Sequence, residues 1–266
     1  KGCSKVISPD RPDGGNSGGT SMTNLNVVGT LPANASIGPL GNATYNIPIF
    51  CPPGTNGMQP DLSVTYSSLA GDGLMGLGWN LSGISSITRG GKDLMHNALA
   101  DVDGVDIDSD DRFYFNGQLL IALNGGVYGD HNTEYQTEVN SFARIKSFGQ
   151  VNAPGSGPQK FEVLTKDGLL MEFGYTPDSR IGIGNYGSAL SWRINKVKDA
   201  NGNYMEYFYT EYSNAQSYIS EIKYTGNANA SPQINPYMSV FFDYVARPHN
   251  MTSYVMGCEV YNSKML

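Results

Sequence analysis

The stretch Asp61–Arg89, DLSVTYSSLAGDGLMGLGWNLSGISSITR, decides the fold class of this chain. Apolar and polar residues alternate in Leu62–Tyr66, which is the period of a β-strand, and an apolar series resumes at Trp79. The four glycines of Gly71–Gly78 favour a corner where one backbone passes close to another. Trp79 and the Leu and Met side chains near it are expected to be buried there. The stretch therefore predicts strand, glycine-rich turn and strand.

The composition of the 266 residues indicates an all-β protein. Charged residues make up only 15%, whereas the chain holds 33 Gly and 17 Tyr, which is typical of strands and tight turns. The length is sufficient for one large β domain, or two modest ones, to fold without cross-links. A formal charge of −7 opposes a polyanionic partner, because no cluster of Lys and Arg can displace counterions from phosphates. We therefore predict no nucleic-acid partner.

Turn signals between alternating runs predict a series of β-hairpins. Asn116-Gly117, Asp167-Gly168 and Asn201-Gly202 each separate two such runs, and these residue pairs favour tight hairpin turns. The runs Tyr45–Ile49 and Leu62–Tyr66 are close enough in sequence to pair as neighbours. An apolar period of 3.6 never persists for about 11 residues, so any helix should span a turn or two. The predicted fold class is all-β, with curved antiparallel sheets built of β-hairpins and little helix.

Two regions of the chain differ in composition. Residues 1–28 are rich in Gly, Pro, Ser and Asn, which is typical of a flexible leader. Residues 29–266 hold the alternating runs and are predicted to form the β domain. Because Glu259–Leu266 has the pattern of a strand that continues, we expect this domain to be the front piece of a longer protein.

The three cysteines are too few and too scattered for a disulfide framework. Cys51 and Cys258 are either buried free thiols or one bridge. Lys1–Ser4 resembles the surroundings of a bacterial lipidation cysteine, so Cys3 is either a lipid anchor or part of a plain leader, although no apolar signal segment precedes it. The chain contains no run of about 18 apolar residues, so we predict no membrane span.

One acidic segment, residues 101–111, has the composition of a metal site. Carboxylates at alternate positions around a glycine can chelate Ca²⁺ through several oxygens, and the weak candidate ligands are Asp101, Asp103, Asp106 and Asp108. The segment does not fit the EF-hand template counted from Asp106, because Asp111 replaces the expected glycine and Gly117 the expected glutamate. Two interpretations of this segment are open, a solvated turn and a Ca²⁺ site. We predict no metal and no cofactor, with Ca²⁺ as the alternative.

No residue pattern in the chain is typical of a catalytic site. The only histidines are His96, His131 and His249, and none has a known catalytic spacing from a carboxylate or a cysteine. A hydrolase needs a nucleophile with a base to activate it. The glycines of Gly71–Gly78 are not followed by the Lys-Ser/Thr of a phosphate loop. We therefore predict no catalytic residues and no enzymatic activity.

The segment Tyr204–Tyr212 is rich in tyrosine and has two interpretations. Its rings are able to stack on sugars or bases. Alternation with period two instead places Tyr207 and Tyr209 on one face of a sheet and Phe208 on the other, which favours ordinary cross-strand packing.

Ordered motifs along the chain resemble a known family. The run Asp199–Tyr209 resembles the D-x-x-G-N-x-x-x-Y-x-Y signature of RHS/YD repeats. The wider set resembles the SpvB-type N-terminal domain, which also opens the B component of Tc insecticidal toxins; its members are Ile47–Ile49, Asp61–Tyr66, Gly71–Arg89, Asp111–Gln118, Thr165–Gly174 and Tyr244–Pro248. The resemblance covers about residues 35–262.

This resemblance implies a non-catalytic structural domain of a bacterial RHS/Tc-type toxin. Such a domain contributes to a β-strand shell that encloses and delivers a C-terminal toxic polypeptide. The implied partners are the remainder of its own RHS chain, the toxin cargo and a pore-forming toxin subunit, and the implied location is secreted or at the bacterial cell surface. The alternative is a cell-surface adhesin or glycan-binding β module, which the acidic charge and the abundant Tyr and Asn also suit.

Overall fold

A computed structural model describes residues 32–96, 102–149, 157–182, 188–212 and 215–266, and residues 33–266 form one compact unit. In this part of the chain the only helical segments are the 3₁₀ turns Thr55–Gly57 and Pro177–Ser179. The rest is strand and turn, which confirms the predicted all-β fold class. The predicted leader, residues 1–28 with Cys3, lies outside the described residues. No helix of the described chain is long and apolar enough to cross a membrane.

The first part of the chain forms a four-stranded antiparallel sheet and a short glycine ribbon. The sheet has the order β1-β2-β3-β6, and β4 pairs with β5 in the ribbon. The strands are β1 (Asn34–Ile37), β2 (Ala43–Ile49), β3 (Leu62–Ser67), β4 (Asp72–Gly73), β5 (Gly76–Leu77) and β6 (Trp79–Ser82). The pairing of β2 with β3 confirms the predicted neighbours.

The register gives this sheet one apolar face and one polar face. Tyr45, Tyr66 and Trp79 lie side by side across three strands, and the next row on that face is Ile47, Val64 and Leu81. On the opposite face, the side chains are those of Asn46, Pro48, Ser63, Thr65, Asn80 and Ser82. Period-two alternation therefore directs the apolar side chains of all three strands to the same side.

The strands that follow β6 first form a closed β-barrel. Eight strands follow the order β13-β12-β11-β10-β9-β8-β7-β15, and β13 also pairs with β15, which closes the sheet into a barrel. Strand β14 pairs with β15 outside this order. The bounds are β7 (Ser86–Gly90), β8 (Arg112–Phe115), β9 (Gln118–Ala122), β10 (Glu134–Thr137), β11 (Arg144–Phe148), β12 (Lys160–Leu164), β13 (Leu170–Phe173), β14 (Arg180–Gly182) and β15 (Ala189–Lys198).

Aromatic rings fill the interior of the barrel. Phe113, Phe161 and Trp192 come from three strands that are not neighbours, and their ring centroids lie 5.0–5.4 Å apart in edge-on contacts. All three side chains are almost completely buried. The Trp192 indole N–H donates to the Gln159 carbonyl at 3.1 Å, so the ring buries its area with its polar atom satisfied. The barrel is a packed core and leaves no channel through these rings.

Beyond the barrel, β15 continues into an extension sheet of order β15-β16-β17-β18. Tyr207 and Tyr209 are buried on one face and Phe208 is half-buried on the other, which confirms the predicted cross-strand packing. The Tyr224 hydroxyl donates to the Pro52 carbonyl at 3.1 Å, joining this sheet to the segment before β3. The strands are β16 (Asn203–Glu211), β17 (Ser217–Asn227) and β18 (Met238–Phe241).

The last two strands, β19 (Val245–Val255) and β20 (Cys258–Met265), form a separate long hairpin. Arg247 anchors it to the glycine ribbon through Asp72 Oδ2 at 2.7 Å and the Gly73 carbonyl at 2.6 Å. At the other strand, the Tyr218 hydroxyl bonds Asn262 Oδ1 at 2.9 Å. The hairpin is therefore fixed both to the glycine ribbon and to the extension sheet.

Three predicted turns are confirmed. Asn116 (φ 48°) and Gly117 (φ 82°) join β8 to β9 with both central residues at positive φ, as in a type I′ turn. Asp167-Gly168 joins β12 to β13, and Asn201-Gly202 joins β15 to β16.

The expected burial of Trp79 is wrong. Trp79 is only partly buried, against Tyr45 and Tyr66, and Leu77 beside it is 75% exposed. The glycine corner lies at the rim of the first sheet, so its side chains have protein on one side only. The tryptophan at the centre of the core is Trp192.

Candidate functional site

The predicted acidic segment lies between β7 and β8, where residues 102–111 are described and Asp101 is not. Asp106, Asp108 and Asp111 each bring one carboxylate oxygen within 4.8 Å of the others. The Asp103 Oδ1 instead accepts the Gly104 amide at 2.8 Å. The structure thus gathers Asp106 and Asp108 and adds Asp111, which was not among the predicted ligands.

Asp111 already has protein partners. Its Oδ2 accepts from Arg89 Nη1 at 2.7 Å and from the Ile107 amide at 2.8 Å, and its Oδ1 accepts from the Asp106 amide at 3.3 Å. Burial, together with the charges of neighbouring aspartates, raises the pKa of Asp106. This carboxylate cluster is organised by an internal ion pair, and a Ca²⁺ site here stays a prediction.

Arg89 and Asp111 form a buried polar centre at the barrel. Their side chains are 0% and 1% exposed. Besides Asp111, the guanidinium donates to Ser188 Oγ at 3.0 Å and to the Ala189 carbonyl at 3.2 Å. It also lies over the Phe113 ring, with Cζ 5.3 Å from the centroid. One cation thus ties β7, the acidic segment and the start of β15 together.

Gly157 makes room for this cation. A Cβ built at Gly157 would lie 2.5 Å from Arg89 Nη2, and the residue has φ +90°, so both space and backbone conformation call for glycine. Buried charges are normally paired and hydrogen-bonded, as Arg89 is. Arg89 therefore holds the acidic segment and the start of β15 together through its ion pair and hydrogen bonds.

A second polar cluster surrounds His96. The His96 Nδ1 lies 2.7 Å from Asp93 Oδ1, and Nε2 lies 3.1 Å from Glu138 Oε1. Hydrogen bonding to Asp93, and also to Glu138, raises the pKa of His96. The hydrogen bonds that Asp93 accepts from the His96 backbone amide and from the imidazole lower the pKa of Asp93. His131 Nδ1 accepts the Gly149 amide at 2.9 Å. Both ring nitrogens of His96 thus face carboxylates, and Nδ1 of His131 is engaged by the backbone.

A cavity of about 230 Å³ lies beside His96. Its wall combines the imidazole with Arg112 and with apolar and aromatic side chains of β8, β9 and the following loop; these are Tyr114, Leu119, Leu120, Ile121, Ala122 and Tyr128. Tyr128 is itself held in place, since its hydroxyl accepts the Phe113 amide at 2.8 Å. Burial raises the pKa of Tyr128, so its hydroxyl keeps its proton at neutral pH.

The two described cysteines are free thiols. Cys51 is buried and Cys258 half-buried. Burial raises the pKa of Cys51, with a further contribution from Asp61, and this disfavours the reactive thiolate.

A closed β-barrel with a filled aromatic core, a buried ion pair and an attached extension sheet define an all-β domain. The chain belongs to the family described as Salmonella virulence plasmid 65kDa B protein (SpvB), whose profile matches residues 37–253. This match confirms the predicted SpvB-type family. A comparison with curated protein sequences gives no match.

Solved structures share the fold. The N-terminal domain of effector protein SpvB from Salmonella typhimurium strain LT2 is 19% identical, with a TM-score of 0.63, over 79% of this chain and 81% of that one. TcdB2-TccC3 is 18% identical, with a TM-score of 0.66, over 88% of this chain and 14% of that one. The Photorhabdus luminescens Tc holotoxin pore is 16% identical, with a TM-score of 0.63, over 89% of this chain and 13% of that one. This chain therefore has the fold of these domains, and its match spans about one seventh of the TcdB2-TccC3 chain.

Proposed function

We propose that this chain is a non-catalytic wall domain of a bacterial RHS/Tc-type toxin, part of a β-strand shell that encloses and delivers a C-terminal toxic polypeptide. The observation that carries the proposal is the likeness to TcdB2-TccC3, in which 88% of this chain corresponds to 14% of a much longer toxin chain. The same fold also matches the SpvB N-terminal domain over most of that chain. A unit that recurs in both settings suits a structural role.

The charge pattern of the outer surface supports this role. A row of directly paired, mostly alternating charges crosses seven neighbouring strands on one face of the barrel and the extension sheet; it consists of Glu134, Lys146, Glu162, Glu172, Lys196, Glu206 and Lys223. Opposite charges across strands stabilise the pairing and keep that face in water. The other face of the same strands is buried and mostly apolar, with Thr137, Ser147 and Asn195 as polar members. A sheet with one solvated face and one packed face suits the wall of a shell.

The free strand edges support a continuing structure. Strand β18 ends the order of the large sheet, and β19 pairs with β20 alone among the described strands. An unpaired edge carries a row of free N–H and C=O groups that further strands can pair with. In the proposed shell those strands belong to the remainder of the RHS chain, while the other partners are the toxin cargo and a pore-forming subunit. The location is then secreted or at the bacterial cell surface.

Protease protection would test whether a C-terminal polypeptide is enclosed. The complete reading frame would be expressed, and its C-terminal segment probed by a non-specific protease before and after the shell is opened with denaturant. The proposal predicts a C-terminal segment that resists cleavage until the shell opens. A reading frame that ends soon after residue 266, or a C-terminal segment cleaved at once, would contradict it.

A glycan-binding adhesin is the second candidate, and the half-exposed row Tyr45, Tyr66 and Trp79 favours it. Aromatic rings on a sheet face can stack on sugars. Specific retention on a glycan array that is lost in Trp79→Ala and kept in Tyr237→Ala, which removes another exposed ring, would support this candidate over the wall.

A further inference from the structure

His96 joins two segments that are far apart in sequence. It lies in the segment that follows β7, and Glu138 follows β10 on the barrel. The two residues are separated by 42 positions. Within its own segment, His96 is held by Asp93, which accepts both the ring Nδ1 and the backbone amide at 2.7 and 2.9 Å. The contact with Glu138 is the one through which the His96 side chain reaches the barrel wall.

The protonation state of the imidazole decides whether both contacts form. Carboxylates accept hydrogen bonds and do not donate them when ionised. A histidinium has an N–H on each ring nitrogen and satisfies Asp93 and Glu138 together. A neutral imidazole has only one N–H, so one nitrogen would turn a lone pair toward a carboxylate. Asp93 has the shorter bond and the additional backbone bond, so Glu138 is the partner that is lost.

The other groups facing His96 do not replace these partners. Strand β8 contributes Arg112 and Tyr114, while β9 contributes apolar side chains. Arg112 is engaged elsewhere, since Nη1 donates to the Asp110 carbonyl at 2.7 Å and its guanidinium lies 4.9 Å from the Tyr128 centroid. Residues 91–93 have ties of their own: Lys92 Nζ pairs with Asp110 Oδ2 at 2.6 Å, the Asp103 amide donates to the Lys92 carbonyl at 3.2 Å, and the Tyr114 hydroxyl contacts Asp93 and donates to the Gly91 carbonyl at 3.4 Å. The Glu138 contact therefore governs only Leu94–His96, the part of the segment beyond these ties.

We propose that His96 is a proton-operated latch, which holds Leu94–His96 against the barrel at Glu138 and releases these residues when the imidazole loses its proton. Because His96 also lines the cavity over β8 and β9, release opens that cavity on the side of Leu119 and Ile121. The domain then has a closed state at acidic pH and an open state at alkaline pH.

The direction of the pH dependence follows from the two partners. Hydrogen bonds to Asp93 and Glu138 raise the pKa of His96, so the latch is fully closed below about 6.5, the ordinary pKa of histidine. It is lost as the pH rises through the raised pKa of His96.

Histidine NMR tests the latch directly, because the chain has only three histidines. We expect the pKa of His96 to lie above the ordinary value and to fall in Glu138→Gln, while His131 and His249 are unchanged. His131→Asn and His249→Asn assign the signals. A His96 that titrates at the ordinary value, with no shift in Glu138→Gln, would overturn the proposal.

Hydrogen exchange tests the release of the segment. After correction for intrinsic exchange, amides of residues 94–96 should lose protection as the pH rises through the pKa of His96. In His96→Asn they should exchange at the open rate at every pH, whereas His131→Asn should behave as the wild type does. If His96→Asn does not fold, Glu138→Gln should move the transition to lower pH. Protection that is independent of pH in the wild type would refute the latch.

Discussion

Replacing Asp111 by Ala should strongly destabilise the domain. The change leaves the Arg89 guanidinium buried without its carboxylate, since the two side chains are 0% and 1% exposed and 2.7 Å apart. Removing one partner of such a pair costs about 3–5 kcal/mol, because the remaining charge stays desolvated. At about 1.4 kcal/mol per factor of ten, the unfolding equilibrium constant should rise by roughly two to four orders of magnitude.

Urea denaturation followed by tryptophan fluorescence would measure this change. Trp192 is fully buried and contacts the same centre, with Arg89 Cζ 5.7 Å from the ring, so its emission reports on the barrel. The control is Arg144→Gln, which breaks a surface pair with Glu134 whose side chains are 74% and 35% exposed. That change should cost less than about 1 kcal/mol.

A double variant separates the lost charge from general damage to the loop. Arg89→Met combined with Asp111→Ala removes both charges, so it should be less destabilised than the sum of the two single variants. The reasoning would be refuted if Asp111→Ala cost no more than Arg144→Gln, or if the two single effects were additive.

The other predictions concern the core, one turn and the acidic segment. Phe161→Ala should lower the free energy of unfolding by about 3–5 kcal/mol, whereas Phe50→Ala, at a ring 84% exposed, should change it little; equal effects would contradict the described core. Gly117→Ala should cost about 1 kcal/mol because φ is +82°, and Gly104→Ala, which meets no atom and has no positive φ, should be near neutral in the same urea titration. Chelation by EDTA should leave the Tm unchanged; a Ca²⁺-dependent rise in Tm that Asp106→Asn abolishes would establish the metal site instead.

Local structure was predictable from the sequence because its causes are local. Asn116-Gly117 adopts the positive φ angles that its residue types favour, and the strands on either side pair across it. The alternation in β2 and β3 set both their pairing and the face that each side chain takes. The position of Tyr207 and Tyr209 on one face followed from the same period.

The barrel could not be predicted, because its closure is non-local. Strand β13 pairs with β15 through a register shift at Glu172/Phe173, and β7 pairs with β15 about 100 positions later, as Ser191 opposite Thr88 shows. No turn signal specifies either contact. For the same reason the sequence did not distinguish rim Trp79 from central Trp192, and it did not show that Asp111 would be the partner of Arg89.

Cryo-electron microscopy of the complete protein tests the central claim most directly. If this domain is a wall, the full-length particle will be a closed β-strand shell, with the Arg89–Asp111 barrel built into its wall, strands continuing from the β18 or β19 edge, and density for a separate polypeptide inside. A particle without an internal space, or one in which this domain stands apart from the other strands and holds a small ligand, would contradict the account.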